Sequence, residues 1–512
     1  MSWGREGLRG YSVMLSTSFA VQICKKTCQK SLKSLLTTIF MFFSIFAGSV
    51  AFADEVILRS ENDAFVLDGT LLGFDGEFYR IDTKYGELTV DGSRVSCEGQ
   101  ACPSISEFVA EFALSGESEI GNKLMPGLVE GFAKSAGLHA LRIDEDDTHF
   151  EYVLSTSAEG APVGRFRFRA STTEEGFADL LANEADVAMA TREVRPVELA
   201  RTAEIGLGRL DEVYRSRVLA LDALIVIVSP SNQRNTILMS DLTEILSGKI
   251  TNWSLLDGPN APIEIHMRDT LSGGAQAVED WLVRAARSSL SERIVRHSSD
   301  RELIQAVEQD PFALGIVSYS AVRSEAHLGF IGPCGLSVTA DRLTIKSEDY
   351  PLTAPLFLYI PARRLPKLAR DFLKFTRTAE AQEIIERAGY VDQRPQAVGT
   401  TKRNAQIAVA TEAALSTVNL MSMKQGFDRI SLLARAINRL DASQRFSTSF
   451  RFKTGTSRLD AQSLSTVYQL SEAIRAGSFD GNELTFVGFT DGQGSLEANL
   501  RIAKQRALRV KQ

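Results

Sequence analysis

Residues 220–232 have the sequence ALDALIVIVSPSN, a nearly unbroken apolar run that ends in a polar turn. A continuous apolar run of this length is typical of a strand that is buried on both faces. On either side of it, from residue 107 to residue 395, helical and strand patterns alternate; Leu124, Leu128 and Phe132, for example, recur at helical spacing. This alternation predicts an α/β domain over 107–395.

The composition limits the classes of protein that remain. The chain has 512 residues, which predicts about three or four domains. Its 44% apolar and 24% charged residues are those of a globular protein, and this excludes a disordered or polytopic membrane chain. The net charge of −7 argues against a nucleic-acid partner. Five scattered histidines, without an HExxH or paired CxxC motif, predict no metal site and no cofactor. The sequence has no GxSxG motif and no convincing nucleophile–base pair, so it does not indicate an enzyme.

The first 53 residues have the pattern of a secretory signal peptide. Six basic residues stand against one acid, Glu6, and an apolar run over 34–53 follows and ends in Ala51-Phe52-Ala53. We expect cleavage after Ala53 and a periplasmic protein. The alternative is an uncleaved anchor, because the run approaches the ~20 residues that span a bilayer. The long stretch before Lys25 leaves Met14 as an alternative start.

Residues 54–106 predict a small all-β module. Short alternating segments are separated by Asp-Gly pairs, which are the strongest local hairpin signal, at residues 68–69, 75–76 and 91–92. Cys97 and Cys102 lie close together in SCEGQACP. In an oxidising compartment this spacing predicts a small disulfide, with two free thiols as the alternative.

Three loops of the α/β domain place hydroxyl or glycine residues before a helix. The first is Ser115–Glu119, with Ser118 and Glu119. The second is Ser171–Thr173, with Ser171 and Thr172. The third is Arg268–Gly274, with Arg268, Ser272, Gly273 and Gly274. Free N–H groups at a helix N-terminus favour a bound oxyanion, and an arginine adds a bidentate fork. Any one loop alone could be a plain N-cap; Thr172 and Glu175 have the spacing of a capping box. His266 shares a strand face with Arg268, and we expect His266 to be solvated.

Several motifs in order resemble the phosphate-binding component of ABC-type phosphate importers. They are ALDALIVIVSPSN, DLTEILSGKITNW, the R-x-x-x-SGG loop and AVEQDPFALGIVSYS, within residues 107–395. The resemblance implies a type II periplasmic binding protein, with two α/β lobes and a ligand held in the cleft between them. It implies phosphate or a similar oxyanion as ligand, and it makes an ABC importer membrane complex a candidate partner.

The resemblance also implies which residues bind the anion. They are Ser118, Glu119, Ser171, Thr172, Thr191, Arg192, Arg268, Ser272, Gly273 and Gly274. Two departures weaken the match: Glu117 and Glu119 stand where the family offers hydroxyls, and Gly274 replaces a threonine. Carboxylates would repel a phosphate dianion in the cleft, whereas an acid with an added amine or hydroxyl would suit them. The other possibility is that both glutamates point to solvent.

The end of the chain carries a second resemblance. After a predicted helical linker over 396–445, residues 446–512 have a strand–helix–strand–helix pattern. Thr490-Asp491, Asn499 and Arg506 have the spacing of an OmpA-like peptidoglycan-binding signature. The resemblance implies that Asp491 and Arg506 bind the diaminopimelate of the peptide stem, with a structural ion pair as the alternative. The chain ends two residues past Val510, where the family has a further strand, so we expect an incomplete domain and weak binding.

These features together predict a periplasmic solute-binding protein that is tethered to the cell wall or outer membrane. The alternative is a structural or sensory envelope protein whose cleft is vestigial or holds a different ligand.

Overall fold

The computed structural model describes residues 55–60, 64–104, 107–212, 214–322, 327–332, 337–399, 443–453, 456–490 and 495–512. The predicted signal peptide and most of the predicted linker lie outside these residues. None of the helices that the structure describes is long and apolar enough to cross a membrane.

The described strands follow the chain in this order: β1 (Glu55–Ser60), β2 (Val66–Phe74), β3 (Phe78–Thr83), β4 (Gly86–Asp91), β5 (Val95–Glu98), β6 (Ala110–Glu117), β7 (His139–Asp144), β8 (His149–Ser155), β9 (Pro162–Ser171), β10 (Val187–Ala190), β11 (Ser216–Val228), β12 (Thr236–Leu238), β13 (Glu264–Arg268), β14 (Val295–His297), β15 (Ala313–Ser318), β16 (Gly329–Ile331), β17 (Ser337–Val338) and β18 (Thr353–Tyr359).

The described α-helices are α1 (Met125–Ser135), α2 (Thr173–Ala182), α3 (Pro196–Glu204), α4 (Met239–Leu246), α5 (Gly273–Val278), α6 (Asp300–Gln309), α7 (Arg342–Lys346), α8 (Lys367–Phe375), α9 (Ala379–Arg387), α10 (Ala461–Arg475) and α11 (Leu496–Lys511). Two π-helical segments, Glu119–Leu124 and Glu279–Arg284, adjoin α1 and α5.

The first strands form a five-stranded sheet in the order β4-β3-β2-β1-β5. β1 pairs antiparallel with both β2 and β5. Alternate residues of β1, Val56 and Leu58, are buried, as expected for a strand with one packed face. The disulfide Cys97–Cys102 is present with a Cα–Cα distance of 5.7 Å, which confirms the predicted bridge.

The α/β part of the chain is built on a ten-stranded mixed sheet. Its order is β14-β13-β15-β11-β18-β10-β6-β9-β8-β7. β6 runs parallel to β9 and β10, and β13 runs parallel to β14 and β15. The long strands β11 and β18 pair antiparallel at the centre. The predicted α/β class is therefore present.

Two hydrophobic clusters pack on this sheet. One contains Phe112, Leu128, Phe132 and Phe166, which lie on β6, α1 and β9. The other is formed mainly by residues from β11 to Leu352 and includes Trp253. β11 and β18 contribute to both clusters, so this strand pair joins two cores.

β11 contains one charged residue in its buried run. Asp222 is 7% exposed, and its carboxylate accepts hydrogen bonds from the backbone N–H groups of Ala223 (2.8 Å) and Ser320 (3.2 Å). Burial raises the pKa of Asp222 from 3.8 to about 6, against the opposing effect of these hydrogen bonds. The carboxyl group of Asp222 therefore binds a proton more tightly in the folded protein than in the unfolded chain.

Two expectations about local structure were wrong. Within the described residues 443–453 and 456–490, no sheet strand forms; only isolated bridges pair Phe446 with Ala397 and Phe452 with Leu459. The predicted βαβα pattern thus keeps its helices, α10 and α11, but lacks its strands, because an extended segment becomes a strand only beside a paired neighbour. His266 is also buried rather than solvated, since its ring stacks against His297 of the adjacent strand β14.

Removal of the disulfide should lower stability. The bridge closes a loop between positions five residues apart, so its loss should cost about 2 kcal/mol through the entropy of the unfolded chain. We expect the double variant Cys97→Ser/Cys102→Ser to melt at a lower temperature than the oxidised protein. Reductant should lower the melting temperature of the wild type and leave the variant unchanged. Equal melting of both proteins under oxidising conditions would contradict the prediction.

Asp222 should make stability depend on pH in a defined direction. An acid whose folded pKa is raised loses its proton first in the unfolded chain, so stability falls as pH rises from about 4 to about 6. Relative to Asp222→Asn, the wild type should lose about 3 kcal/mol of unfolding free energy between pH 4 and pH 7. Urea unfolding at both pH values measures the difference. Asp147→Asn, at an exposed turn, controls for the loss of one carboxylate; a constant difference between wild type and Asp222→Asn would refute the assignment.

Candidate functional site

A cavity of about 60 Å³ lies where strand ends of the ten-stranded sheet meet. A water molecule needs about 10–15 Å³ of such volume, so the cavity has room for one small oxyanion or a few waters. Its polar lining is formed by Glu117, Glu119, Thr191, Asp222, Arg268, Ser272, Asp300 and Ser318, with the backbone of Gly274. The predicted loops that contain Glu119, Thr191 and Arg268 are thus brought together.

Glu117 is the last residue of β6, and its side chain lines the cavity. It is 4% exposed. Its Oε2 accepts hydrogen bonds from Thr173 Oγ1 (3.0 Å), Thr191 Oγ1 (3.3 Å) and the backbone N–H of Gly273 (3.2 Å). The possibility that this carboxylate points to solvent is therefore excluded. Burial is the largest cause that raises the pKa of Glu117, and the nearby Glu119 raises it further.

Arg268, at the end of β13, is the one arginine in the described lining. Its Nη1 lies 3.4 Å from Asp300 Oδ1 and 3.6 Å from Glu119 Oε1. Its Nε is buried and has no hydrogen-bond partner among the described residues. Burial raises the pKa of Asp300, while Arg268 opposes that rise. The guanidinium thus retains an unused donor despite two neighbouring carboxylates.

The charge of the cavity is dominated by acids. Four carboxyl groups, those of Glu117, Glu119, Asp222 and Asp300, line it with a single guanidinium. Lys123 forms an ion pair with Glu119. A multiply charged anion would therefore meet repulsion unless some of these carboxyl groups hold protons, which the raised pKa values of Asp222 and Asp300 favour.

The second predicted loop lies beside the cavity. Thr172 caps α2, because its side chain accepts a hydrogen bond from the N–H of Glu175 at 3.2 Å. Ser171 ends β9, and its buried Oγ has no partner among the described residues. Ser118 precedes the π-helical segment without capping it through its side chain. None of Ser118, Ser171 and Thr172 is part of the described lining.

Arg192 is placed differently from what the resemblance implies. It is 2% exposed, and its guanidinium pairs with Glu198 at 2.8 Å and donates from Nε to Gln276 Oε1 at 3.1 Å. It does not belong to the described lining. The preceding Thr191 instead reaches Glu117, so adjacent residues of one loop have separate roles.

The third loop approaches the end of β6 closely. Ser272 caps α5 by accepting a hydrogen bond from the N–H of Ala275 at 3.2 Å. A Cβ atom at Gly273 would lie 1.7 Å from Thr191 Oγ1 and 2.6 Å from Glu117 Oε2, so only glycine fits there. At Gly274 a Cβ atom would meet only Leu224, at an ordinary 3.5 Å. The sequence predicted this loop but not its contact with Glu117.

Sequence reasoning missed Asp222, Asp300 and Ser318 as residues of the cavity lining. Thr173, the last residue of the predicted loop Ser171-Thr172-Thr173, lies beside the cavity and donates to Glu117. Asp300 follows the N-cap Ser299 and so had a local signal. Asp222 and Ser318 lie on strands and had none. Among the described residues, no three potential ligands cluster to hold a metal ion.

The residues predicted to bind peptidoglycan are only partly described. Asp491 lies outside the described residues, while Thr490 precedes α11 and Asn499 lies on it. Arg506 of α11 donates hydrogen bonds to the backbone oxygens of Phe489 (3.2 Å) and Thr456 (3.3 Å). The predicted pairing of Asp491 with Arg506 stays a prediction.

Comparison with known proteins supports the resemblance of the middle of the chain. Over 187 residues the chain is 26% identical to the phosphate-binding protein PstS of Borreliella burgdorferi, a match that covers 36% of this chain and 67% of that protein. It is 26% identical over 219 residues to the protein SphX of Synechococcus elongatus, covering 40% of this chain and 62% of SphX. The chain thus spans about two-thirds of the length of these relatives.

Solved structures are also similar. An ABC-type phosphate transport receptor from Vibrio cholerae aligns with a TM-score of 0.43 and 18% identity, covering 55% of this chain and 99% of that one. PstS from Borrelia burgdorferi aligns with a TM-score of 0.39 and 20% identity, covering 55% and 98%. The PBP superfamily domain matches residues 146–380. Residues 146–380 are thus similar to the PBP superfamily domain, and the chain shares 26% identity with one PstS and one SphX protein over the stretches given above.

Proposed function

We propose that the protein is an exported, non-catalytic solute-binding protein that captures phosphate or a phosphate-like anion in the cavity at Arg268. One observation carries the proposal. The buried Nε–H of Arg268 has no acceptor among the described residues, although it borders a cavity of the size of one oxyanion. A buried donor without a partner costs about 1–3 kcal/mol, and a bound anion removes that cost.

The acids of the cavity define which form of the anion fits. Glu119 and Asp300 flank Arg268, so an oxygen that contacts the guanidinium also lies near two carboxyl groups. An oxyanion that keeps a proton, such as hydrogen phosphate, offers a hydroxyl donor to these acceptors, whereas a fully deprotonated oxyanion such as sulfate offers none. We therefore propose a ligand with at least one acidic oxygen and one donor group. Hydrogen phosphate meets this requirement, and so does an acid that bears an amine.

A vestigial cleft is the competing proposal. The excess of carboxyl groups over guanidinium groups favours it, because the charged side chains of the cavity then have only a structural role in an envelope protein. The two proposals differ in whether millimolar phosphate, sulfate or a phosphate ester stabilises the protein. Binding to the folded state raises the melting temperature, and a vestigial cleft gives no shift.

Arg268→Ala should weaken anion binding by about 2 kcal/mol or more, roughly thirtyfold, because it removes a charge-assisted donor pair. Titration calorimetry with phosphate measures the loss. Arg268→Lys keeps the charge without the Nε donor, and we expect it to recover only part of the affinity.

Arg284→Ala is the matched control, because Arg284 is exposed and its guanidinium pairs with Glu279. It should bind phosphate like the wild type. Absence of binding to phosphate, sulfate and phosphate esters by the wild type would sink the receptor proposal.

We further propose that residues 446–512 tether the protein to peptidoglycan. The spacing of Thr490, Asp491, Asn499 and Arg506 supports this proposal, together with the position of Arg506 on α11. A tethered receptor cannot diffuse freely to an ABC importer, so it would serve as a local reservoir or sensor of the periplasm.

Arg506→Ala should reduce the amount of protein pulled down by purified peptidoglycan and leave phosphate binding unchanged, since Arg506 is not among the residues that line the cavity. Arg509→Ala, exposed on the same helix, is the control for the loss of one positive charge. Equal retention of both variants on peptidoglycan would contradict the proposed role of Arg506.

A further inference from the structure

The carboxylate of Glu117 accepts hydrogen bonds from the same donors that a bound oxyanion would use. Thr173 ends the second predicted anion loop, Thr191 follows β10, and Gly273 begins α5 in the third loop. All three donate to one carboxylate oxygen, at 3.0, 3.3 and 3.2 Å. Donors that converge in this way from separate loops on a single oxygen are what an anion-binding site provides.

We propose that Glu117 is a built-in anion, whose carboxylate fills one oxyanion position of the cleft and competes with the external ligand for its donors. This inference rests on the proposed function, because it assumes that the same cleft takes a phosphate-like anion. Glu117 is in this sense a residue that determines specificity.

The packing around the carboxylate shows that no second anion fits at the same donors. Even a single carbon added at Gly273 would lie 1.7 Å from Thr191 Oγ1 and 2.6 Å from Glu117 Oε2. Glu117 is itself almost fully buried. The carboxylate therefore fills this position, and the cavity of about 60 Å³ that it helps to line also borders Arg268 and Asp300.

The contact also joins the two sides of the cleft. Glu117 extends from β6, whose core residues Phe112 and Leu114 belong to one hydrophobic cluster, while α5 packs Ala275 and Val278 into the other. A hydrogen bond from Gly273 to Glu117 thus links both cores without any ligand. In a receptor of this architecture the ligand normally makes that link, so Glu117 should keep the third loop ordered in the ligand-free protein.

The experiment compares Glu117→Ser, Glu117→Gln and Glu119→Gln with the wild type by calorimetry with inorganic phosphate. Serine vacates the donors, and we expect it to bind phosphate at least tenfold more tightly than the wild type. Glutamine keeps an acceptor in place but removes the charge, so its gain should be smaller. Glu119→Gln removes a neighbouring charge without freeing these donors. Glu111→Gln, exposed on the same strand, is the remote control.

Hydrogen exchange of the ligand-free proteins supplies a readout that needs no ligand. The peptide containing Gly273 should exchange faster in Glu117→Ser than in the wild type, because its N–H loses its acceptor. Exchange in Glu111→Gln should equal that of the wild type. Phosphate should restore protection in Glu117→Ser.

The outcomes separate this inference from the proposed function. If the wild type binds phosphate and Glu117→Ser binds it no more tightly, the built-in anion is overturned while the receptor proposal stands. If Glu119→Gln tightens binding as much as Glu117→Ser, general charge and not occupancy is the cause, and the inference is also overturned. If neither wild type nor Glu117→Ser binds phosphate, the receptor proposal fails, and unchanged exchange at Gly273 would then overturn the inference as well.

Discussion

The pairing of β11 with β18 is the constraint on which the rest of the α/β part depends. Their register runs from Ser216 opposite Tyr359 to Ala223 opposite Thr353, with a bulge between Val218 and Ala220. Both strands supply residues to both hydrophobic clusters. Because two cores share this strand pair, the ends of β6, β10, β13 and β15 meet around one cavity, and polar residues that are distant in the chain become neighbours.

The cavity that results combines two opposed requirements. Its loops supply hydroxyl and N–H donors, as an oxyanion site does, yet four carboxyl groups share the space with Arg268. Desolvation raises the pKa values of Asp222 and Asp300, so protons on these two groups reduce the negative charge that the fold concentrates there. The charge of such a cavity therefore depends on pH more strongly than the charge of a site that is lined by hydroxyl groups alone.

Local patterns in the sequence were enough to predict much of the fold. The apolar run over 220–232 forms β11, and Leu124, Leu128 and Phe132 are buried as their helical spacing predicted. The capping by Thr172 and Ser272 also follows from neighbouring residues. These features depend on contacts within a few positions, which a sequence displays directly.

The predictions that failed depend on distant contacts. The alternation in β13 suggested a solvated His266, but His297 of the parallel neighbour β14 covers it. Asp222 and Asp300 join the cavity through strand order, which no local motif encodes. Glu117 was recognised as a departure from the family pattern, whereas its bond to Gly273, 156 positions away, required the structure.

Helix α10, which follows the predicted linker, is connected to a strand that lines the cavity. It buries a largely polar face, formed by Gln462, Ser463, Ser465, Gln469 and Leu470. Ser465 Oγ bonds to Gln393 Oε1 at 3.0 Å, and Gln393 Nε2 in turn donates to the backbone oxygen of Val218 at 3.0 Å. Interfaces between segments that separate reversibly are polar in this way, unlike the apolar cores of a single domain. Since Val218 lies on the same strand as Asp222, α10 is anchored to the strand that lines the cavity.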